Sequence, residues 1–276
     1  MNTNLLILTL LELDKWGPKK VYDYIEKNNF DYEKSLNNLT FELNDSEKNL
    51  FKEKLVGVKN KLKDNYEKGI QCINLLDNQF PKKLYCSKDK CLYLFYVGNI
   101  ELLSKPSITI IGTRKPDDEF IDKGIKVTKY FAKKGYVIVS GLAFGCDQIA
   151  HRSCLDVNGD TIAVLPSPCD NPQPVSNKKL AQEIIYNGGL LISEYGTGER
   201  VEKFNYPRRD RIQSLLSNVA LVIEATDDSG TMNAVRKNLN EGKKVYAIDG
   251  NKISIIKDYI DVENEEQLAY IEKYIS

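Results

Sequence analysis

Histidine is nearly absent from this chain of 276 residues: His151 is the single example, beside one tryptophan and two methionines. The six cysteines never form a C-x-x-C pair. Because a structural zinc site needs about four Cys or His ligands at short spacings, we expect no metal centre. We also expect the cysteines to remain reduced thiols. No sequence motif indicates a cofactor.

Net charge is the second feature that the sequence lacks. Lys plus Arg and Asp plus Glu both total 39, so the formal charge at pH 7 is zero. A polyanion would therefore need a local basic patch on this protein rather than a globally basic surface. No apolar run approaches the length of a membrane span, and no basic segment precedes a long apolar core at the N-terminus. These absences predict a cytoplasmic protein without a membrane partner.

Residues 1–66 show apolar side chains at helical spacing, which predicts a small N-terminal helical (SAM-like) domain. The segment Trp16-Gly17-Pro18 interrupts the pattern, so several short helices are expected rather than one long helix. Two interpretations are open for such a bundle. It could be a helix-hairpin module that touches a DNA backbone, or an interaction and packing domain, and we favour the second.

The second predicted domain covers 69–276 and begins with flanking strands. Its aromatic run at 92–97 is more typical of a buried strand than of a base-stacking platform, because exposed positions do not alternate with buried ones. From 107 onward, strand-like apolar runs alternate with helical patterns. This rhythm predicts an α/β fold with a doubly wound, mostly parallel sheet. The six runs lie at 108–111, 136–139, 161–165, 190–192, 219–223 and 244–248.

The usual strand order of a doubly wound sheet, 3-2-1-4-5-6, would place a ligand crevice between the ends of the first and fourth of these strands. The second strand ends at Ser140-Gly141, and Gly145 precedes the next helix. Small residues and free N–H groups at a helix start favour a negatively charged ligand. The spacing S-G-x-x-x-G does not match the dinucleotide fingerprint, and a purely structural turn is the alternative.

Two further strand ends carry similar residues. Gly112, Thr113 and Arg114 follow the first strand, and Arg114 is suited to bidentate phosphate binding. A surface ion pair is the simpler interpretation for one arginine. Ser229-Gly230-Thr231 follows the fifth strand and could supply N–H and hydroxyl donors, although simple helix capping explains it equally well.

The strongest local basic patch lies between the fourth and fifth strands. Arginines and aromatic residues together are what single-stranded nucleic acid requires, namely charge for phosphates and flat faces for bases. A solvated surface run is the alternative, but the aromatic rings make it less favourable. The residues are Phe204, Tyr206, Arg208, Arg209 and Arg211, with Lys178 and Lys179 on the expected rim.

Catalytic groups are not evident in the sequence. His151 has no nucleophile elbow or Ser/His/Asp order around it and is interpreted as a structural hydrogen-bonding residue. Asp147 and Glu194 both follow strands and could form a carboxylate pair, but nothing else supports that role. We expect a binding protein rather than an enzyme.

Taken in order, these segments resemble the DNA-processing protein A (DprA or Smf) family over about residues 70–260. The resemblance implies an extended Rossmann-like fold that binds single-stranded DNA without cutting it. It also implies protection of incoming DNA during natural transformation, loading of a RecA-type recombinase, and a homodimer. The matching segments are IIGTRKP (110–116), VSGLAFGCDQIAHR (139–152), TIAVL (161–165), LLISEY (190–195), FNYPRRDRI (204–212) and EATDDSGT (224–231).

The resemblance maps a DNA pocket onto the strand ends and the arginine-rich segment. Gly112, Gly141 and Gly230 would permit close approach of the strand. Thr113, Ser140, Ser229 and Thr231 would donate hydrogen bonds, and Phe204 and Tyr206 would stack on bases. The phosphates would contact Arg114, Lys178, Lys179, Arg208, Arg209 and Arg211.

Three departures from the family pattern are visible. Asp210 replaces the asparagine of R-N-R-I, Cys146 replaces the isoleucine of G-I-D, and only a short tail follows Gly250 where some members carry a winged-helix domain. An acid at Asp210 is expected to weaken phosphate contact. The short tail predicts that this chain has no winged helix.

Two other functions on the same fold are open. Lysine-decarboxylase-like phosphoribohydrolases carry P-G-G-x-G-T-x-x-E, but alignment on Gly230-Thr231 places Ala234 at the catalytic glutamate. A missing carboxylate argues against glycosidic hydrolysis. A sensor of a nucleotide-derived signal would use the same crevice for a small phosphate ligand.

Overall fold

The computed structural model describes residues 2–275, except for the side chains of Asn2 and Thr40. Met1 and Ser276, the outer limits of the two predicted domains, lie outside that range. The N-terminal region forms four helices: α1 (Asn2–Leu11), α2 (Pro18–Lys27), α3 (Tyr32–Glu42) and α4 (Asp45–Glu67).

The helices begin where their sequences supply caps. Pro18 occupies the first turn of α2, where a missing N–H costs nothing. Asp31 caps α3 by accepting from the Lys34 N–H, and Asn44 forms a capping box with Glu47 at the start of α4. Local chemistry therefore sets the limits of these short helices.

One sheet of nine strands forms the rest of the scaffold, in the order β1-β2-β6-β5-β4-β3-β7-β8-β9. The β1–β2 and β2–β6 pairs are antiparallel and all other pairs are parallel. The predicted α/β, extended Rossmann-like fold is confirmed. The strands are β1 (Gln71–Asn74), β2 (Tyr93–Gly98), β3 (Ser107–Ile111), β4 (Val137–Ser140), β5 (Thr161–Leu165), β6 (Leu190–Ser193), β7 (Val219–Val222), β8 (Lys244–Ile248) and β9 (Asp258–Ile260).

Helices cover both faces of this sheet. Alternate residues of one strand enter different cores: Val137 and Val139 pack with the N-terminal helices, whereas Ile138 packs on the opposite face. Short 3₁₀ turns occupy Ile100–Ser104 and Val175–Asn177. The helices are α5 (Lys82–Cys86), α6 (Asp118–Lys133), α7 (Cys146–Leu155), α8 (Lys178–Tyr186), α9 (Asn205–Leu216), α10 (Thr231–Asn240) and α11 (Glu265–Ile275).

The strand order corrects the expected position of the crevice. The chain winds from β3 through β4 and β5 to β6, then crosses back along α9 to add β7 on the other side of β3. In a parallel sheet the ligand crevice opens where the winding direction reverses. The reversal lies between β3 and β7, which pair from Ile108–Val219 to Ile111–Val222. The usual strand order predicts that the end of β6, with Glu194, faces Gly112 across the switch point. This prediction is wrong, because β7 and not β6 lies beside β3.

The aromatic strand is buried, as predicted. Leu94 and Phe95 of β2 have no exposed surface, and β2 pairs with β6 at the edge of the parallel sheet. This antiparallel extension replaces an open edge of the parallel sheet with a short β1–β2 pair.

The N-terminal helices pack directly against the extended sheet edge. The Asn4 side-chain amide donates to the Cys72 carbonyl of β1 at 2.8 Å, and Asn65 of α4 accepts from the Thr197 N–H at 3.1 Å. Leu6, Ile7 and Leu10 belong to the same apolar cluster as strand residues of the sheet. The division at 1–66 and 69–276 stays a prediction. No described helix is both long and apolar enough to cross a bilayer.

Candidate functional site

A crevice of about 400 Å³ opens at the carboxyl ends of β3 and β7. The ends of these strands are joined by a bond from the Thr113 N–H to the Glu224 carbonyl at 2.7 Å. Helix α9 passes across the floor, where Thr109 Oγ1 donates to the Gln213 carbonyl at 3.0 Å. The lining includes Gly112, Thr113, Arg114, Ala143, Asp147, Tyr206, Arg209, Asp210, Ser229, Gly230, Thr231 and Ala234.

Gly112 has a packing role. A Cβ atom there would lie 2.4 Å from the Cys146 sulfur and 2.8 Å from the Glu224 carbonyl oxygen. The missing side chain lets α7 approach the end of β3, where the Cys146 N–H donates to the Thr113 carbonyl at 3.0 Å. Close approach at Gly112 is therefore between two parts of the protein, and the predicted close approach of DNA is not needed to explain this glycine.

Ser140 and Gly141 also serve the interior. Ser140 is buried and its Oγ donates to the Ile110 carbonyl at 2.7 Å. A Cβ on Gly141 would lie 1.3 Å from Nη1 of Arg209, so the glycine makes room for that guanidinium. The structure therefore contradicts the expectation that these two residues present a hydroxyl and an open backbone to a ligand.

Gly230 is the open position of the crevice. No heavy atom lies within 4 Å of a Cβ built on it, and its φ of −58° is ordinary for any residue. Beside it, Oγ of Ser229 is enclosed and has no hydrogen-bond partner among the described residues. Enclosed polar groups normally have partners, so this hydroxyl has an unused hydrogen-bonding capacity at the crevice wall. Thr231 begins α10 at the same wall.

Arg114 forms the accessible cationic wall. Its side chain is exposed, and its guanidinium lies 5.8 Å from the ring centroid of Tyr206. A guanidinium held against an aromatic face keeps its charge and its donors directed outward. None of the described carboxylates lies within 4 Å of this group. The structure brings Arg114 and Tyr206 together at the crevice.

Arg209 is buried and paired with acids. Its side chain is 7% exposed, and Nε lies 3.0 Å from Asp210 while Nη1 lies 3.9 Å from Asp147 and donates to the Val164 carbonyl at 3.3 Å. Burial raises the pKa of both acids, and the nearby Arg209 opposes that shift. Asp210 thus neutralises Arg209 from within the same helix. The expectation of a phosphate-binding Arg209 is not met in this arrangement.

Arg211 forms a second internal pair. Its Nη2 lies 2.5 Å from Oε1 of Glu194, and both side chains are about nine-tenths buried. Burial lowers the pKa of Arg211 but the adjacent Glu194 raises it, and the net direction is upward. Glu194 and Asp147, considered above as a carboxylate pair, therefore each face an arginine instead. Arg211, like Arg209, is not a free phosphate ligand here.

On the other side of α9 lies a cavity of about 530 Å³, which we call the basic cleft. Phe204, 57% exposed, and Arg208 lie here and not in the crevice. Four lysines, Lys19, Lys88, Lys90 and Lys237, also line it. They could not be recognised from the sequence as one cluster, because they stand in three separate segments that only the fold brings together. The lining is Pro18, Lys19, Lys88, Asp89, Lys90, Phe204, Pro207, Arg208, Arg211 and Lys237.

Lys178 and Lys179 are exposed in the first turn of α8, outside the linings of both the crevice and the basic cleft. The preceding Asn177 donates its side-chain amide to the Leu142 carbonyl at 2.8 Å. That bond fixes the start of α8 beside the loop that follows β4. The two lysines therefore stand on the outer side of this loop.

His151 has no access to a ligand. It is fully buried on α7, with Nδ1 2.8 Å from Oγ1 of Thr161. Burial, with a smaller contribution from Arg209, lowers its pKa to about 3. The ring is neutral at physiological pH and serves the interior, in agreement with the structural role predicted for it.

The sequence matches one family over most of this scaffold. The model of the DNA recombination-mediator protein A family covers residues 71–258, from β1 to the beginning of β9. This chain belongs to that family. DNA processing protein DprA of Streptococcus pneumoniae is 37% identical over 185 residues, which is 67% of this chain and 65% of that relative. The match thus spans just under two thirds of the relative's length.

Two solved structures share the fold. That of DprA from S. pneumoniae superposes with a TM-score of 0.72 at 27% identity, covering 99% of this chain and 93% of the other. That of DNA processing protein A from Helicobacter pylori, described for its unique single-stranded DNA binding mode, gives 0.64 at 29% identity over 74% and 97% of the two chains. The chain therefore shares the architecture of the S. pneumoniae protein along nearly its whole length.

Ala234 lies in the crevice of this DprA family member, on the first turns of α10. It is the position where alignment with the phosphoribohydrolase motif requires a glutamate. A buried methyl group stands there, and it can neither donate nor accept a proton.

Proposed function

We propose that this protein binds single-stranded DNA at the switch-point crevice and acts as a recombination mediator of the DprA type. One observation carries the proposal. The exposed guanidinium of Arg114, which has no carboxylate partner among the described residues, lines the same crevice as the unpartnered Ser229 hydroxyl and the open backbone at Gly230. Charge-assisted and neutral donors converging on an open glycine form a phosphate site. Tyr206 supplies a flat face at the same wall for a base.

The roles of the predicted residues divide accordingly. Arg114, Tyr206, Ser229, Gly230 and Thr231 would contact the strand directly, with Thr113 at the base of the wall. Phe204 and Arg208 would act from the basic cleft, and Lys178 and Lys179 from the side of the loop after β4. Gly112, Ser140, Gly141, Arg209 and Arg211 would hold these elements in place.

The cellular role is proposed with it. A protein of this family that holds single-stranded DNA in the cytoplasm would protect incoming strands in natural transformation and load a RecA-type recombinase onto them, acting as a homodimer. We propose binding without cleavage. Asp147 and Glu194 are held by arginines and His151 is buried and neutral, so none of the three is free for acid–base chemistry.

The test compares two arginine variants of equal charge. Arg114→Ala should weaken binding of a single-stranded oligonucleotide about tenfold and reduce the slope of log K against log salt by about 0.7, the value of one lost phosphate contact on a single strand. Arg236→Ala, an exposed arginine of α10 outside the crevice lining, is the matched control and should change neither. Fluorescence anisotropy over a salt series measures both quantities. Equal behaviour of the two variants would overturn the assignment of the crevice.

A nucleotide sensor is the second candidate, and the crevice volume supports it. About 400 Å³ is within the range of small-ligand sites, roughly 300–1,000 Å³, and can enclose one nucleotide. A sensor would bind nucleoside monophosphates at micromolar concentrations, and these would displace the oligonucleotide. Release of free base in the same incubation would instead indicate a phosphoribohydrolase.

A further inference from the structure

The crevice by itself has little surplus positive charge. Of its two arginines, Arg209 is opposed by Asp147 and Asp210, so Arg114 is the uncompensated cation. A polynucleotide carries one negative charge per nucleotide, and its affinity for a protein depends on how many phosphates are neutralised. More cations are needed than the crevice supplies.

The basic cleft supplies them. Lys19, Lys88, Arg208 and Lys237 line it, and no described carboxylate lies within 4 Å of their charged groups. Asp89 is the one acid in the lining. Phe204 adds an apolar ring that is 57% exposed. Cations around an exposed aromatic ring form the surface that single strands bind.

The cleft adjoins the crevice directly. Pro207, in the first turn of α9, lines both cavities. The charges of the two cavities also act on one carboxyl group, that of Asp210. Burial raises the pKa of Asp210, and the positive charges of Arg209, Lys237 of the cleft and Arg114 of the crevice act to lower it. Single-stranded DNA can therefore pass from the crevice to the basic cleft over the N-terminus of α9.

Internal bonds hold the cleft in shape. Arg211 donates to the Lys90 carbonyl at 3.5 Å, which ties the segment after α5 to α9. The Lys90 ammonium lies 3.9 Å from the ring centroid of Tyr22 and donates to the Tyr85 carbonyl at 2.7 Å. The far wall of the cleft is thus built from α2 and the segment before β2, so Lys19 and Lys88 stand on a supported surface.

The opposite exit from the crevice is less suited to a polyanion. It leads past Arg114 into a groove of about 840 Å³. There Asp156 and Glu183 offset two of the three cations Arg114, Lys115 and Arg152, and Arg152 lies 3.9 Å from Glu183. The remaining lining is largely apolar, with Phe144, Ile121 and Ile149 among it. The distribution of charge therefore favours the basic cleft over this groove as the path of single-stranded DNA out of the crevice.

We propose that single-stranded DNA leaving the crevice continues through the basic cleft, so that Lys19 of the N-terminal helical region and Lys88 form part of the binding surface. The inference rests on the proposed function and extends it. The N-terminal helices then have a binding role beyond packing: they supply one wall of the DNA track. Phe204, an exposed ring in the cleft, stacks on a base.

The test uses two oligonucleotides and two triple variants of the full chain. Lys19→Ala/Lys88→Ala/Lys237→Ala should bind a thymidine oligonucleotide of about 20 nucleotides at least tenfold more weakly, with a salt slope smaller by about 2. A thymidine dinucleotide, short enough for a crevice that encloses about one nucleotide, should bind unchanged. The control Lys52→Ala/Lys59→Ala/Lys133→Ala removes the same charge from exposed lysines outside the cleft and should have little effect on either.

The outcomes separate this inference from the proposed function. If Arg114→Ala weakens both oligonucleotides but the two triple variants behave alike, the strand does not use the cleft and this inference alone fails. A length-dependent loss in Lys115→Ala instead would place the strand in the opposite groove and also overturn it. If the unaltered protein binds neither oligonucleotide, the proposed function fails. Photocrosslinking of 4-thiothymidine to peptides containing Lys19 or Phe204 would support the track directly, and circular dichroism checks that each variant is folded.

Discussion

Exposed and buried arginines of helix α9 use the same kind of side chain in opposite ways. Arg208 stands in the open basic cleft without a described acidic partner, whereas Arg209 and Arg211 are buried against Asp147, Asp210 and Glu194. At 3.6 residues per turn, Arg209 and Arg211 point about 200° apart, so each meets a different part of the interior. Adjacent arginines on one helix thus divide into ligand-facing and structural residues.

This comparison shows that burial decides the function of a charged side chain. A buried ion pair loses hydration on both partners, and its main consequence is that neither partner can be removed alone. An exposed arginine keeps its hydration and is available to exchange water for a phosphate. Substitutions of the exposed and of the buried arginines distinguish these two uses.

The largest expected effect is on the free energy of unfolding, when a buried carboxylate loses its arginine partner. Arg211→Ala leaves the Glu194 carboxylate buried without its partner, and should lower the free energy of unfolding by about 3–5 kcal/mol. Arg208→Ala should change it by less than about 0.5 kcal/mol, while weakening DNA binding. Urea unfolding followed by circular dichroism measures both. Adding Glu194→Gln to Arg211→Ala should recover part of the loss, and equal stabilities of the two single variants would contradict the division.

The glycines give a second contrast of intermediate size. Gly141→Ala places a methyl group where the Arg209 guanidinium lies, and overpacking of this kind should cost about 1–3 kcal/mol of stability. Gly230→Ala meets open space at a helical φ and should leave stability unchanged or raise it by about 0.4–1 kcal/mol. The second variant should nevertheless weaken oligonucleotide binding because it narrows the open wall. A Gly230→Ala protein with full affinity would show that the strand does not approach there.

Acidification gives a third contrast. The pKa of His151 is about 3 in the folded protein and about 6.5 when unfolded, so between these values the unfolded chain binds more protons. Stability is therefore lost as pH falls below about 6.5, approaching 1.4 kcal/mol per pH unit. Burial raises the pKa of Asp147 and Asp210, which gives the opposite sign at lower pH. His151→Leu should remove the loss between pH 6.5 and 5, and unfolding curves of both proteins across that range measure it.

The basic cleft should not respond to the same acidification. Its lining contains no histidine, the side chain whose charge ordinarily changes between pH 5 and 8. Oligonucleotide affinity should therefore stay constant between pH 6.5 and 5.5 as long as the protein is folded. An affinity that followed the stability curve would indicate that the buried arginines contact DNA.

Much of the fold was predictable. Each of the six apolar runs is a strand, because a strand buried on both faces needs a continuous run of β-branched residues such as Val137-Ile138-Val139. The strand ends at Gly112, Ser140 and Ser229 gather near one edge because parallel strands end on the same side. The order of the strands was not predictable in this way, since the reversal depends on where the long crossover through α9 returns.

The candidate site was predictable only in part. Arg114, Ser229 and Gly230 lie together because they follow the ends of the neighbouring strands β3 and β7, whereas α9 brings Tyr206 to the same crevice. The internal use of Arg209 and Arg211 was not visible, because Asp147 and Glu194 lie far away in the chain. The cluster of Lys19, Lys88 and Lys237 was also not visible in the sequence, because these lysines come from three separate segments.

By itself the sequence determined the elements, their caps and the residue types at each strand end, since these depend on interactions between near neighbours. Only the tertiary structure decided which cations face solvent and which are neutralised. That choice depends on contacts between residues far apart in the chain: Gly141 beside Arg209, Glu194 beside Arg211, and α2 beside α9. Hydration and Coulomb energies depend on distance in space, and the position of a residue in the chain does not set them.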